Sequence, residues 1–257
     1  MTASKLSLAL ALALFSLPMA AAAQDQAEST EATTEQTQSE ETAAPADEAV
    51  AEEEESNFSW NLALTSDYVF RGVSQNSREP ALQGGLDYSF GDTGFYVGTW
   101  GSNVDFGDGS PDLEIDTYIG WNTDLSDSFN LDVMLSRYNY FGEDEASFGT
   151  IDYNELIGVV TWNEMIAFTA AYTNNYSNTG INSSYVNVTG EWEVAESFTF
   201  SAGVGRTEFE DSDGYTDWML GISRDFGPVN AALNYYDTNV DGERLSDALV
   251  LTFKIEG

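Results

Sequence analysis

From Phe58 to Phe253 apolar and polar positions alternate with a period of two, the mark of strands with one greasy and one wet face. The clearest unit places Leu82, Gly84, Leu86, Tyr88 and Phe90 on one face and Gln83, Gly85, Asp87 and Ser89 on the other. Gly91-Asp92-Thr93-Gly94 then reverses the chain with residues that tolerate positive φ, and Tyr88, Phe90, Phe95 and Tyr96 crowd both sides of the turn. The same texture recurs to the end of the chain. A first strand covers Asn57 to Phe70, with Phe58, Trp60, Leu62 and Leu64 on the greasy side, and a loop from Arg71 to Pro80 follows it. Later strands set Leu113, Ile115, Ile119 and Trp121 against Glu114, Asp116 and Tyr118, and Phe129, Leu131, Val133 and Leu135 against Asn130, Asp132 and Ser136. Val186, Val188 and Trp192, then Leu220 and Ile222, then Leu249, Leu251 and Phe253 carry the pattern on.

Loops are expected at Gly107–Pro111, Gly142–Thr150, Asn174–Ser183, Glu210–Gly214 and Asp237–Glu243, each alternating with a short turn. The count is twelve strands of about ten residues, long enough to cross a bilayer when tilted. An even count with alternating long and short connections predicts an all-β, transmembrane, antiparallel up-and-down barrel with both chain ends on the short-turn side. Phe90, Phe95, Trp121, Phe129, Trp162, Trp192, Phe198 and Phe226 lie beside the short turns and form the aromatic girdle expected at that end. A soluble β-sandwich is the competing architecture, but it would not gather aromatics at one end or alternate its loop lengths. Tyr96, Trp100, Ile157 and Val159 put apolar groups on the inward face too, which calls for a plug or the far wall to pack against.

What precedes the barrel is of two kinds. Residues 1–23 hold one Lys, an apolar run from Leu6 to Leu17 and an Ala-rich end, the pattern of a secretory signal peptide cleaved after Ala23. Residues 24–56 hold 12 acidic residues, no basic one and no aromatic, so this segment is expected to stay disordered. Export into the cell outer membrane, with barrel termini in the periplasm, follows as the expectation. No apolar stretch is long enough for a membrane helix, which leaves a closed sheet as the spanning form.

Composition then removes several chemistries. The chain has no His and no Cys, which rules out a Ser-His-Asp triad, thiol catalysis and a disulfide framework. With no Gly-X-Ser-X-Gly elbow either, an outer-membrane enzyme is the weaker reading, and no cofactor is implied. Of the 44 acidic residues 12 precede Phe58, which leaves 32 against seven Lys and Arg in the barrel, a net charge of −25. That balance opposes nucleic-acid binding. The faces assigned inward carry Asp67, Asp87, Glu114, Asp116, Asp132, Glu155, Glu191, Glu193 and Asp217, with Arg71 and Lys254 as the main cations beside them. Acidic linings favour cations. Asp67, Arg71, Asp87, Glu114, Asp116, Asp132, Glu155, Glu191 and Asp217 are the candidate pore-lining set, Arg71 being a constriction, an ion-pair partner or a loop cap. These carboxylates could instead hydrate the wall or pair with arginines in a filled lumen. Acidic loop clusters at Asp105, Asp108 and Asp112 and at Glu210, Asp211 and Asp213 suit hard cations but lack calcium-loop spacing.

The stretches Ser66-Asp67-Tyr68-Val69-Phe70-Arg71-Gly72-Val73-Ser74-Gln75, Pro80 to Tyr88, Gly94 to Gly98 and Trp100 to Phe106 resemble the TorF-type porin family of proteobacteria. The likeness is dense over Ser66–Phe106 and one of layout beyond it. It implies an outer-membrane barrel acting as a channel and carries no catalytic residue. The chain departs from the usual barrel ending in placing its last aromatic, Phe253, before a short tail, Lys254-Ile255-Glu256-Gly257. The resulting expectation is a passive channel for small hydrophilic solutes with a preference for cations, in contact with outer-membrane lipid. A closed structural or interaction barrel is the alternative.

Overall fold

The computed structural model describes residues 57–257 apart from Glu145, Glu196 and Ser246; the leader and the acidic segment lie outside the described residues. Strands β1 (Phe58–Thr65), β4 (Ala81–Ser89), β5 (Phe95–Asn103), β6 (Leu113–Ser126), β7 (Phe129–Phe141) and β8 (Tyr153–Trp162) are followed by β9 (Ile166–Tyr176), β10 (Ile181–Ala195), β11 (Phe198–Phe209), β12 (Tyr215–Phe226), β13 (Val229–Thr238) and β14 (Ala248–Glu256). Two short strands, β2 (Val69–Phe70) and β3 (Val73–Ser74), form a separate hairpin between β1 and β4. The twelve long strands pair antiparallel with their sequence neighbours, and β1 pairs with β14 to close the ring.

Closure runs to the last residue. Leu62 lies opposite Ile255 and Leu64 opposite Phe253, and Trp60 and Gly257 exchange backbone hydrogen bonds of 2.8 and 3.0 Å. The residues after Phe253 therefore continue the ladder rather than trail from it. A ring without edges pairs its backbone groups within the sheet, which makes it a form of sheet that hydrocarbon tolerates. No described helix is long and apolar enough to cross a membrane.

The side chains are arranged inside out relative to a soluble domain. Leu64, Leu220 and Leu249 stand on the outer face at 54%, 51% and 66% exposure, whereas Glu114, Asp116 and Ser136 face inward and are fully buried. Phe90, Phe95, Trp121, Phe129, Trp162 and Phe226 are exposed beside the short turns, completing the girdle at that end.

Three sequence expectations are corrected. The first strand ends at Thr65 rather than Phe70: Thr65 Oγ1 donates to the Asp67 carbonyl at 2.9 Å, and the chain turns off the ladder there. Residues 71–76 are not an exposed loop; only 77–80, at its end, are exposed. The chain enters the lumen and reverses at Arg71-Gly72, whose φ values of 45° and 79° suit the two-residue turn that a tight hairpin requires. Phe70, Val73, Gln75 and Asn76 are buried as a result. Finally, most of the loop expected at 174–183 is strand, since β9 reaches Tyr176 and β10 starts at Ile181. Ser177 and Asn178 at φ 45° and 57° make the reversal tight enough for both strands to run on.

The inward hairpin explains Trp100 among the apolar groups on inner faces. Trp100 meets Tyr68 edge-on at 5.4 Å, and Tyr138, Tyr140, Tyr153, Tyr176 and Tyr215 join Phe70 and Val73 in one cluster that fills the long-loop half of the barrel.

Because the outer face meets hydrocarbon in the middle and headgroups at the ends, charge insertion there is expected to cost by depth. Leu220→Arg, midway along β12, is expected to lose about 2–4 kcal/mol and Leu125→Arg, next to a short turn, about 0–1. Urea unfolding from lipid vesicles, followed by tryptophan fluorescence, measures the difference; equal costs at both depths would contradict the membrane-facing assignment.

Candidate functional site: the inward hairpin and the acidic wall

Arg71 occupies the tip of the hairpin and crosses the lumen to the far wall. Its Nη1 and Nη2 donate to Glu155 Oε1 and Oε2 on β8 at 3.1 and 2.8 Å, a two-pronged ion pair with both side chains fully buried. The guanidinium carbon also lies 4.2 Å from the ring centre of Tyr185 on β10 and 4.7 Å from that of Phe70. Gly72 leaves no room for a side chain: a Cβ would come within 2.6 Å of Thr238 Cγ2 and 2.8 Å of the Asp217 Cβ. The hairpin base is tied by Gln75 N to the Tyr68 carbonyl at 2.7 Å and Tyr68 N to Asn76 Oδ1 at 3.0 Å. Arg71 is thus an ion-pair partner, and the loop-cap reading falls away.

The remaining candidates are held mostly by hydroxyl groups rather than by cations. Asp67 accepts from Ser74 Oγ at 2.7 Å. Asp87 accepts from the Tyr118 hydroxyl at 2.6 Å, Asp132 from Tyr96 at 2.8 Å, Glu114 from Tyr140 at 3.0 Å and Asp217 from Tyr185 at 3.2 Å. Glu155 adds a bond from Tyr138 at 3.0 Å to its pairing with Arg71. Asp116 is buried with no hydrogen-bond partner at either carboxylate oxygen. Glu191 and Glu193 lie towards the short-turn end of β10 with exposed side chains, apart from the buried cluster. Lys254 pairs with Glu256 at 2.8 Å, both partly exposed, an interaction worth roughly 0–1 kcal/mol.

Several of these phenol–carboxylate bonds depend on a glycine in the strand between. Gly98 on β5 lies opposite Asp87 on β4 and Tyr118 on β6, and the Tyr118 ring covers it on the way to Asp87. Gly120 on β6 lies under Tyr96 of β5, which reaches Asp132 on β7. Gly205 on β11 sits beneath the Tyr185 hydroxyl, between β10 and Asp217 on β12. A side chain at any of these glycines would occupy the space of the ring or hydroxyl. The tyrosines are the functional residues that sequence reasoning missed. They stood in the inward register, but their link to a carboxylate two strands away needed the strand pairing.

The other strand arginines avoid the inner wall, whereas Lys254 shares the inward face of β14 with Val250 and Thr252. Arg137 and Arg206 pair with Asp152 and Glu208 at 3.1 and 2.6 Å, and Arg224 lies over Phe198 and Phe226 beside the short turns. At the long-loop mouth a cavity of about 410 Å³ opens beside the hairpin, lined by Val73, Ser77, Arg78, Phe106 and Arg244 among others. Arg244 stacks on Phe106 at 5.1 Å, and Arg78 donates to the carbonyls of Glu243 and Asp247.

A closed antiparallel barrel of twelve strands, apolar outside and acidic inside, defines a class of proteins built to sit in a bilayer. Within that class the chain belongs to the Gcw_chp family, bacterial proteins of unknown function, whose model matches residues 49–253. No curated protein matches it in sequence. Among solved structures it is similar to one from a study of the in-meso crystallization of membrane proteins, at 8% identity and a TM-score of 0.52 over 78% of this chain and 83% of that one. A NanC porin overlaps at 10% identity and a TM-score of 0.46 over 77% and 97%, and LpxR from Salmonella typhimurium at 10% and 0.45 over 77% and 99%. At such identities the likeness is one of fold.

Two substitutions probe the arrangement. Arg71→Ala strands the Glu155 carboxylate in a dry interior and is expected to cost about 3–5 kcal/mol, while Arg71→Met combined with Glu155→Leu costs clearly less. Unfolding in urea gives the energies, and protease cleavage within 66–80 reports release of the hairpin. Gly98→Ala drives a methyl into the Tyr118 ring and is expected to cost about 1–3 kcal/mol; an unchanged unfolding midpoint would contradict the bridging role of that ring.

Proposed function

We propose that this protein is an outer-membrane porin, a passive channel for small hydrophilic solutes that prefers cations, with both barrel ends in the periplasm. The observation that carries the reading is how the carboxylates of the inner wall are hydrogen-bonded. Asp87, Glu114, Asp132 and Asp217 are held by neutral phenols, and phenols satisfy hydrogen bonding without cancelling charge. Among the described residues one buried guanidinium, Arg71, stands against five buried carboxylates in number: Asp67, Glu114, Asp116, Glu155 and Asp217. A wall of that kind lowers the energy of a passing cation and raises that of an anion. The resemblance of Ser66–Phe106 to TorF-type porins agrees with this reading. Without His or Cys neither a Ser-His-Asp triad nor a thiol nucleophile can be built from this chain. In this reading the 66–80 hairpin is the constriction and Arg71–Glu155 its latch.

A second reading, a closed barrel that serves structure or contacts, is favoured by one observation. The hairpin and the tyrosine cluster pack the long-loop half so fully that Phe70, Arg71, Val73 and Gln75 are at most 3% exposed. Planar-bilayer recording of the refolded protein separates the two. Under a KCl gradient the channel reading expects discrete conductance steps and a reversal potential of cation-selective sign, moved towards zero by combined Asp87→Asn, Asp132→Asn and Asp217→Asn. A reversal potential of anion-selective sign ends the cation preference, and a folded barrel that never conducts selects the closed reading.

A further inference from the structure

Asp116 sets itself apart from every other buried carboxylate of the described residues. Asp67, Glu114, Glu155 and Asp217 each accept a hydrogen bond from Ser74, Tyr140, Tyr138 and Tyr185 respectively, and Glu155 also holds Arg71. Asp116 is at 0% exposure, and neither of its carboxylate oxygens has a hydrogen-bond partner. Its electrostatic neighbours are Glu114, two residues before it on the same face of β6, and Glu155 on β8, both acidic. The Ser136 hydroxyl, likewise at 0% exposure, has no hydrogen-bond partner either. Strand register places it nearby: Asp116 lies opposite Tyr138 on β7, Ser136 is the next inward residue of that strand, and Ser136 lies opposite Glu155. Glu114, Asp116, Ser136 and Glu155 thus make a patch of oxygens on one stretch of inner wall, behind the hairpin. Arg71 is engaged by Glu155 through both terminal nitrogens, and none of its nitrogens bonds Asp116.

A carboxylate stripped of water and of donors, beside two further acids, is strongly disfavoured as a bare anion. We infer that Asp116, with Glu114 and Ser136, is a binding site for a hard, oxygen-preferring cation inside the barrel. Oxygen-only surroundings suit alkali and alkaline-earth ions rather than thiophilic metals. No group of three or more acidic, His or Cys side chains among the described residues converges with metal-ligand geometry, so the site offers two carboxylates and a hydroxyl rather than a full cage. Partial coordination of that kind binds and releases, which is what a resting point along a conduction path must do. The placement along such a path rests on the channel reading above; the binding itself does not.

Terbium, a luminescent hard cation, is the probe. Tyr138 and Tyr140 border the patch and would sensitise emission from an ion held there. The full chain, refolded in detergent, is titrated with Tb³⁺ under tyrosine excitation, with Ca²⁺ as competitor. A saturable, Ca²⁺-displaceable emission is expected in the unsubstituted protein. Asp116→Asn is expected to weaken it by at least about tenfold, since even outer partners of metal ligands cost roughly 10–100-fold in affinity. Glu114→Gln serves as the second variant, and each is first checked for folding by its heat-modifiable gel mobility. Titrations within twofold of the unsubstituted protein in every folded variant overturn the site. Bilayer recordings on the same samples keep the two readings apart. Conductance with Tb³⁺ titrations unchanged by the substitutions removes the site and leaves the channel, whereas a Tb³⁺ signal present in the unsubstituted protein and lost in Asp116→Asn, in a barrel that never conducts, removes the channel and leaves the site.

Discussion

Every backbone N–H and C=O in a hydrocarbon layer must find its partner within the protein, because no water is there to take it. That constraint explains why β1 returns to β14 and why the pairing persists through Ile255 to Gly257. It also explains the side-chain plan. Once the ring is closed, the outer face belongs to lipid and the lumen becomes the place for polar groups, so Leu64 and Leu249 stand outside while Glu114 and Asp116 stand within. A soluble domain would punish this distribution through the hydrophobic effect; here the solvent on the outer side is itself apolar.

Inside the ring the problem is one of charge. Acidic side chains outnumber cations, and the protein satisfies their lone pairs chiefly with tyrosine hydroxyls carried over glycines from neighbouring strands. A phenol donates one hydrogen bond and leaves the negative charge in place. Arginines would have cancelled it. The choice makes the wall polar and ordered while supplying no positive charge.

The hairpin is the exception, and it is costly to build. Burying Arg71 with Glu155 removes two ions from water, a penalty that their mutual attraction meets only with good geometry. Two parallel hydrogen bonds, a third from Tyr138 and stacking on Tyr185 supply it. In exchange, a segment that would otherwise lie outside the ladder is pinned across the lumen, against Asp217 and Thr238 on the wall where Gly72 permits contact.

The twelve strands and their inward and outward faces were legible in the chain, because a period of two is a local property and Phe58, Leu86, Trp121 or Leu220 declares its side by its neighbours. The acidic character of the inner face followed from the same count. What the sequence could not display is which inward groups meet. Tyr118 reaching Asp87 over Gly98 depends on register between three strands, and Arg71 reaching Glu155 spans 84 residues of chain. The turn of Ser66–Pro80 into the lumen has the same origin: Arg71-Gly72 marks a tight reversal locally, but only the presence of Glu155 and Tyr185 across the ring makes the interior, rather than solvent, its lowest-energy place.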